Sequence, residues 1–222
     1  MRLNKYIASS TDMSRRRADV FIEAGRVTIN GKMAEQGQAV NDGDIVELEG
    51  VRITPPTELT TIMLNKPRGV VVSRDGQGSD TVYDILPPEY QRLNPIGRLD
   101  KDSSGLLLLT NDGELTQLLS HPSHQKIKLY TVEIDKPLQP LHRQMISDHG
   151  IQLTDGTSRL QLERLKEGND KAWQVAMHEG RNRQIRRTFE ALGYTVETLH
   201  RTQFGSYKLG NLTSGQTAVV TA

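Results

Sequence analysis

The 222-residue sequence predicts an α+β protein in two modules. Three observations point there. Two short helical periodicities at the front give way to short alternating strands; four consecutive leucines at 106–109 sit between polar turns; and strands outnumber helices after residue 61, separated by turn residues rather than crossover helices. The stretch with Pro55-Pro56 and little apolar periodicity reads as a semi-rigid connector. The organisation expected is a module at 1–49, a connector at 50–60 and a larger domain at 61–222.

Taken in order, Leu3, Tyr6 and Ile7 repeat at helical spacing. Ser14 caps a second helix that turns Ala18, Phe21 and Ile22 to a core and ends at Gly25. Residues 27–29 and 44–48 read as strands, with turns at Asn30-Gly31 and Asp42-Gly43. Ile62-Met63-Leu64 begins a buried strand that halts at Asn65-Lys66-Pro67 and resumes at 69–72. Residues 73–81 form a polar loop, followed by a helical turn at Val82, Ile85 and Leu86 that Pro87-Pro88 ends. The four leucines form a strand buried on both faces. Leu115, Leu118 and Leu119 mark one helical face; the chain turns through Pro122 and Ser123-His124 into a strand at 126–134. A helix at 140–149 presents Leu141, Met145 and Ile146. Asp155-Gly156 then turns into a strand with Leu160 and Leu162, and a hairpin at 167–170 leads to the strand of Trp173, Val175 and Met177. Ile185, Phe189 and Leu192 form the core face of a helix ended by Gly193, and strands follow at 195–199 and, at a sheet edge, 217–221. The larger domain is therefore expected to be a mainly antiparallel mixed sheet with a few flanking helices on one side.

Composition excludes several classes. Lys and Arg number 28 against 27 Asp and Glu, net +1, so any nucleic-acid signal must lie in local clusters. Without cysteine there is no thiolate nucleophile or cysteine-ligated metal, which suits a reducing cytosol. The six histidines lack ligand spacing and no phosphate-binding glycine loop or dinucleotide fingerprint occurs, so neither metal nor cofactor is expected. No apolar run approaches membrane-spanning length and the front lacks a signal-peptide core; a cytoplasmic monomer without membrane contact is the expectation.

Residues 2–32 hold Arg2, Lys5, Arg15, Arg16, Arg17, Arg26 and Lys32 against Asp12, Asp19 and Glu23. Three arginines in the first turn of a helix face a positive macrodipole, at a cost of a few tenths of a kcal/mol each. Such a pattern suggests an external anion, and guanidinium forks suit RNA phosphates. A second cluster, Arg181, Arg183, Arg186 and Arg187, crowds like charges on a helix, which is easier to explain beside a carboxylate and a polyphosphate. Asp100 and Asp102 stand at the mouth of the leucine strand. In an extended segment they project to opposite sides, so Asp102 reads as a turn or surface residue. A carboxylate beside a buried strand needs a cation nearby to stay ionised. Tyr130 offers a π face and a hydroxyl.

Gly-Arg-Leu-Asp at 97–100 with Ser-Gly-Leu-Leu-Leu-Leu-Thr-Asn-Asp-Gly at 104–113, Asn-Lys-Pro-x-Gly at 65–69, Lys-x-Tyr at 128–130 and Asn-Arg-Gln-Ile-Arg-Arg at 182–187 resemble, in order, motifs of the RsuA/RluB/RluE/RluF family of bacterial rRNA pseudouridine synthases. The front, with Arg-Leu-Asn-Lys-Tyr-Ile, Ser-Arg-Arg-Arg-Ala and Ile-Glu-Ala-Gly-Arg-Val-Thr-Ile-Asn-Gly-Lys, is similar to an S4 RNA-binding domain. The resemblance implies an S4 domain at 1–49 and a catalytic domain at 61–222. The implied reaction turns a uridine of ribosomal RNA into pseudouridine, with 23S favoured over 16S because the wording lies nearest the RluF branch. It implies Asp100 as the catalytic residue, Arg186 as its salt-bridge partner, Tyr130 against the uracil ring, and Arg98 in the space a flipped nucleotide leaves. The Lys66 motif is mainly structural there, with a reach to phosphate as a second role. The RNA contacts expected are Arg2, Lys5, Arg15, Arg16, Arg17, Arg26, Lys66, Arg98, Lys128, Arg181, Arg183 and Arg187. Attack on C1′ and removal of the 2′ proton both remain open as the role of the acid. A non-catalytic RNA-binding protein that keeps the fold is the alternative.

Overall fold

The computed structural model describes residues 1–11, 13–121 and 126–220; the turn expected through Pro122, Ser123 and His124 and the last strand residue, Thr221, lie outside them. The chain divides into two compact units, Met1–Leu59 and Thr60–Ala222.

In the first unit, α1 (Leu3–Ser10) and α2 (Arg15–Glu23) accompany an antiparallel sheet ordered β2-β1-β3-β4, with β1 Val27–Ile29, β2 Lys32–Met33, β3 Val46–Leu48 and β4 Val51–Ile53. Ser14 Oγ accepts the Arg17 N–H at 3.2 Å, the cap its position calls for. Asn30 and Gly31 both adopt positive φ, 53° and 75°, which is what a two-residue hairpin turn between β1 and β2 demands. Leu3, Ile7, Ala18, Ile22, Val27 and Val46 pack into one core. Strand β4 occupies the first residues of the stretch read as connector, and β2 was not foreseen. Both are too short to show alternation, and their ladder partners rather than their own pattern make them strands.

The second unit is built on a nine-stranded sheet ordered β11-β12-β8-β13-β7-β5-β15. Its strands are β5 (Thr61–Lys66), β6 (Asn94–Pro95), β7 (Ser104–Thr110), β8 (Lys128–Ile134), β11 (Gln161–Arg164), β12 (Ala172–Met177), β13 (Val196–Phe204), β14 (Tyr207–Lys208) and β15 (Thr217–Val219), with β6 on β7 and β14 on β13. Among these strands only β13 and β7 run parallel. Between β8 and β11 lie β9 (Ile151–Leu153) and β10 (Gly156–Ser158), a separate hairpin. The central strand β7 has all four leucines at 0% exposure: Leu107 and Leu109 enter one core with Val132, Ile185 and Phe189, while Leu106 and Leu108 enter a second with Leu119 and Phe204. Full burial contributes about 2 kcal/mol per leucine.

The helices are α3 (Val82–Ile85), α4 (Gly113–Ser120), α5 (Pro140–Gln144), continued by a π-helical turn Met145–His149, and α6 (Gln184–Glu190). They flank both faces, not one: α4 carries Leu119 into the second core, whereas α6 carries Ile185 and Phe189 into the first. Leu118 and Leu141, placed on core faces by periodicity, are solvent-exposed. Residues 69–72 do not resume β5. The backbone turns away after Lys66, and Val71 makes only a lone bridge to Thr81.

Candidate active site

The acidic segment before β7 is a turn. The Ser103 N–H donates to the Asp100 carbonyl at 3.1 Å, so the chain reverses between them. Strand alternation therefore does not hold for Asp102, and its carboxylate joins Asp100 around the same arginine. All four carbonyls of this turn are held from outside it. Lys66 Nζ donates to the carbonyls of Asp100 (3.1 Å), Ser103 (2.7 Å) and Pro67 (3.0 Å), the Gly69 N–H donates to Lys101 (2.8 Å), and Arg186 Nη2 donates to Asp102 (3.0 Å). Lys66 is completely buried and cannot touch RNA, which corrects its expected phosphate contact. Burial pulls its pKa down to about 8 against the opposing charges of Asp100 and Asp102.

The two carboxylates are shared between two arginines in an arrangement the sequence did not predict. Arg183 stands just before α6 in the left-handed region (φ 47°), off the helical register. From there Nη1 lies 3.7 Å from Asp100 Oδ2, and Nη1 and Nη2 donate to both oxygens of Asp102 at 3.1–3.2 Å. Arg186, 8% exposed, places Nε 3.2 Å from Asp102 Oδ2 and donates to the Val196 carbonyl at 2.7 Å and Ser103 Oγ at 3.4 Å. The expected Arg186–Asp100 bridge is thus replaced by a shared cluster in which Arg183 reaches both Asp100 and Asp102 while Arg186 pairs with Asp102. Partial burial pushes the Asp102 carboxyl up, but the Arg183 hydrogen bonds and the Arg186 charge outweigh it and hold the pKa below the usual value. Burial lowers the Arg186 guanidinium, opposed by Asp102.

Asp100 opens into a cavity of about 370 Å³. Tyr130 from β8, Arg183, Lys128 and the exposed Arg98 line it with Asp100, and Met177, Ile185, Leu199 and Phe204 supply apolar surface. Tyr130 is 7% exposed, so its ring forms a wall rather than a free flap. Arg186 does not line the cavity; it supports the turn that does. A carboxylate at the edge of a half-apolar pocket, with one guanidinium close by and a phenol in the wall, suits a nucleophile or base acting on a molecule whose flat ring lies against the wall.

Two arginines expected on RNA are used internally. Arg181 donates to the Asp155, Gly156 and Thr157 carbonyls at 2.9 Å and pairs with Asp155 and Glu179; Arg187 grips both oxygens of Asp155. Both anchor the β9–β10 turn and so spend their donors inside the protein, and Arg181 also lines the cavity. In the first unit, Arg26 pairs with Glu49 and its guanidinium lies 4.0 Å from the Phe21 ring centroid. Arg2 and Arg16 are exposed, Lys5 is half-buried on α1, Arg15 bonds Asn4 at 3.3 Å, and Arg17 lies 5.9 Å from Phe21. None of the arginines 15–17 makes an ion pair among the described residues. The sequence reading missed Arg201, 2% exposed in β13 and part of the cavity wall. The signal was available: it shares the inward parity of Leu199, so a strand at this position had to bury a guanidinium.

Residues 60–191 match the RNA pseudouridylate synthase family, and residues 1–46 match the S4 domain. The chain is 38% identical over 226 residues to ribosomal large subunit pseudouridine synthase B of Bacillus subtilis, covering 99% of this chain and 92% of that one. It is 38% identical over 218 residues to the dual-specificity RNA pseudouridine synthase RluF of Escherichia coli K12, covering 97% and 74%. A crystal structure of a pseudouridylate synthase superposes with a TM-score of 0.71 at 32% identity, covering 100% of this chain and 96% of that one.

Proposed function

The chain belongs to the RNA pseudouridylate synthase family, and from that premise we propose that it isomerises a uridine of 23S ribosomal RNA, with Asp100 as the catalytic carboxylate. One observation carries the reading: Asp100, its Arg183 partner and Tyr130 line a single cavity. In the reaction the N1–C1′ bond breaks, the base turns over, a C5–C1′ bond forms, and C5 gives up a proton while N1 gains one, so composition is unchanged. The Asp100 carboxylate beside Arg183 either attacks C1′ as the N1–C1′ bond breaks and leaves again as C5 bonds to C1′, or takes the 2′ proton and returns it once C5 has joined C1′. Tyr130 lies against the base and offers its hydroxyl for the C5 proton. The half-apolar walls keep water from the detached base, as an isomerase requires and a hydrolase does not. Arg186 acts as a positioning residue through Asp102 and Ser103. The exposed arginines 15–17 hold RNA phosphates.

Asp100→Asn tests this. On 23S transcripts, carbodiimide mapping should show product formation down about a thousandfold or more with RNA affinity retained. Unchanged conversion would reject Asp100, and no conversion by the unaltered protein on 23S, 16S or tRNA would reject the activity.

A further inference from the structure

Two sets of cationic side chains in the second unit stand in contrast. Arg181, Arg183, Arg186 and Arg187 each have a carboxylate partner. Lys128 and Arg201 line the same cavity, and among the described residues neither makes an ion pair. Their cationic heads lie near one aromatic ring, Lys128 Nζ 5.6 Å and Arg201 Cζ 5.0 Å from the centroid of Phe204.

Backbone geometry explains how Arg201 comes to be there. The parallel contact of β13 with β7 lasts two residues, His200 beside Ser104 and Arg201 beside Gly105, and then the strands part. At Gly105 (φ +104°) a Cβ would stand 2.3 Å from the Arg201 carbonyl oxygen, so only glycine permits the approach. Past that point Arg201 Nε donates to the Leu106 carbonyl at 2.7 Å, replacing the missing ladder bond with a side chain. A bulge between Arg201 and Gln203 further re-aims β13. This fixes the guanidinium and leaves Nη2, buried, with no hydrogen-bond partner. Arg201 pairs across the ladder with Tyr130, which puts it beside the aromatic wall. Lys128 spends one donor on the Glu179 carbonyl at 3.1 Å and keeps the others.

Two neighbouring cations with no ion-pair contact among the described residues, one holding a buried unpaired donor and the other only partly offset by the Glu179 charge, make a seat for an anion. Burial, and after it the nearby Arg201 charge, pull the Lys128 pKa down against the opposing charge of Glu179. We propose that Lys128 and Arg201 together bind one backbone phosphate of the RNA strand that enters the cavity, setting the sugar of the adjacent nucleotide against Asp100. This rests on the RNA-modifying reading above.

The test uses the full chain and single-stranded oligouridylate, which can enter without leaving a duplex. Arg201→Gln and Lys128→Gln should each weaken binding about tenfold and lessen the slope of log affinity against log salt by up to about 0.7, the share of one phosphate on a single strand. Oligouridylate with neutral methylphosphonate linkages should not distinguish the variants from the unaltered protein. Because Arg201→Gln also removes the bond to Leu106, Lys128→Gln stands alone as the test if that variant does not fold. Unchanged affinity and slope in both variants, or equal losses on the neutral backbone, would overturn the proposal. Pseudouridine formation on 23S transcripts is measured in parallel. A lowered slope without any product from the unaltered protein would sink the enzymatic reading and leave the phosphate site standing. Normal product with an unchanged slope would do the reverse.

Discussion

Two arginine clusters, nearly alike on paper, meet opposite fates. Residues 15–17 open α2 on the surface, capped by Ser14 and without an ion pair among the described residues. The cluster at 181–187 surrounds itself with Asp100, Asp102, Asp155 and Glu179, and every one of its guanidinium groups is charge-matched. Density of positive charge in a sequence therefore does not identify an RNA contact. The charge left over after internal pairing is the part free to meet an external phosphate.

That contrast can be attacked at several points. The heaviest blow is Arg186→Met, which strips a buried guanidinium from Asp102, Ser103 and Val196. It should cost about 3 to 5 kcal/mol by urea denaturation, and a loss below about 1 kcal/mol would mean the inner cluster is no scaffold. Next comes Lys66, whose ammonium is carried into the core with its pKa lowered to about 8. Between that value and the ordinary 10.5 the unfolded chain binds the extra proton, so folding stability should rise with pH across this window by an amount on the order of 3 kcal/mol. Lys66→Met should abolish the rise, as a pair of pH-resolved denaturation series would reveal. Replacing Arg15, Arg16 and Arg17 together by serine should move stability by less than about 0.5 kcal/mol. It should flatten the salt dependence of RNA binding by about 0.9 for each phosphate no longer neutralised; an unaltered slope would leave the outer cluster without its assigned task. The mildest change is Asp155→Asn. Its carboxyl is held below the ordinary range by the Arg187 hydrogen bond although solvent surrounds it, so the urea midpoint should barely shift. RNA affinity should rise slightly as Arg181 and Arg187 lose their match.

The sequence made the large features legible because they rest on burial. Four leucines in a row can only be a strand covered on both sides, and Ile185 and Phe189 had to face inward together. What escaped was local geometry that no periodicity encodes. Asp102 was placed opposite Asp100 because alternation assumes an extended chain, whereas a hydrogen bond from Ser103 folds the segment back. Arg183, expected on RNA, took the place beside Asp100 expected of Arg186 because it precedes the helix in a left-handed conformation, where helical spacing does not apply. Lys66 looked like a reach toward phosphate, yet its ammonium finds three carbonyls inside the protein. The Ser14 cap and the exposure of residues 15–17 agree with the sequence, since a capped helix surface depends on little beyond its own residues.

The turn that carries Asp100 has each of its carbonyls gripped by a donor from another part of the unit. A carboxylate mounted so firmly has no slack to chase its target. All travel must fall to the nucleotide, and the ease with which a given uridine leaves its stack becomes the selector of which position is modified. On this account, loosening the RNA around a disfavoured uridine should open new sites, whereas loosening the protein turn should only slow the reaction everywhere.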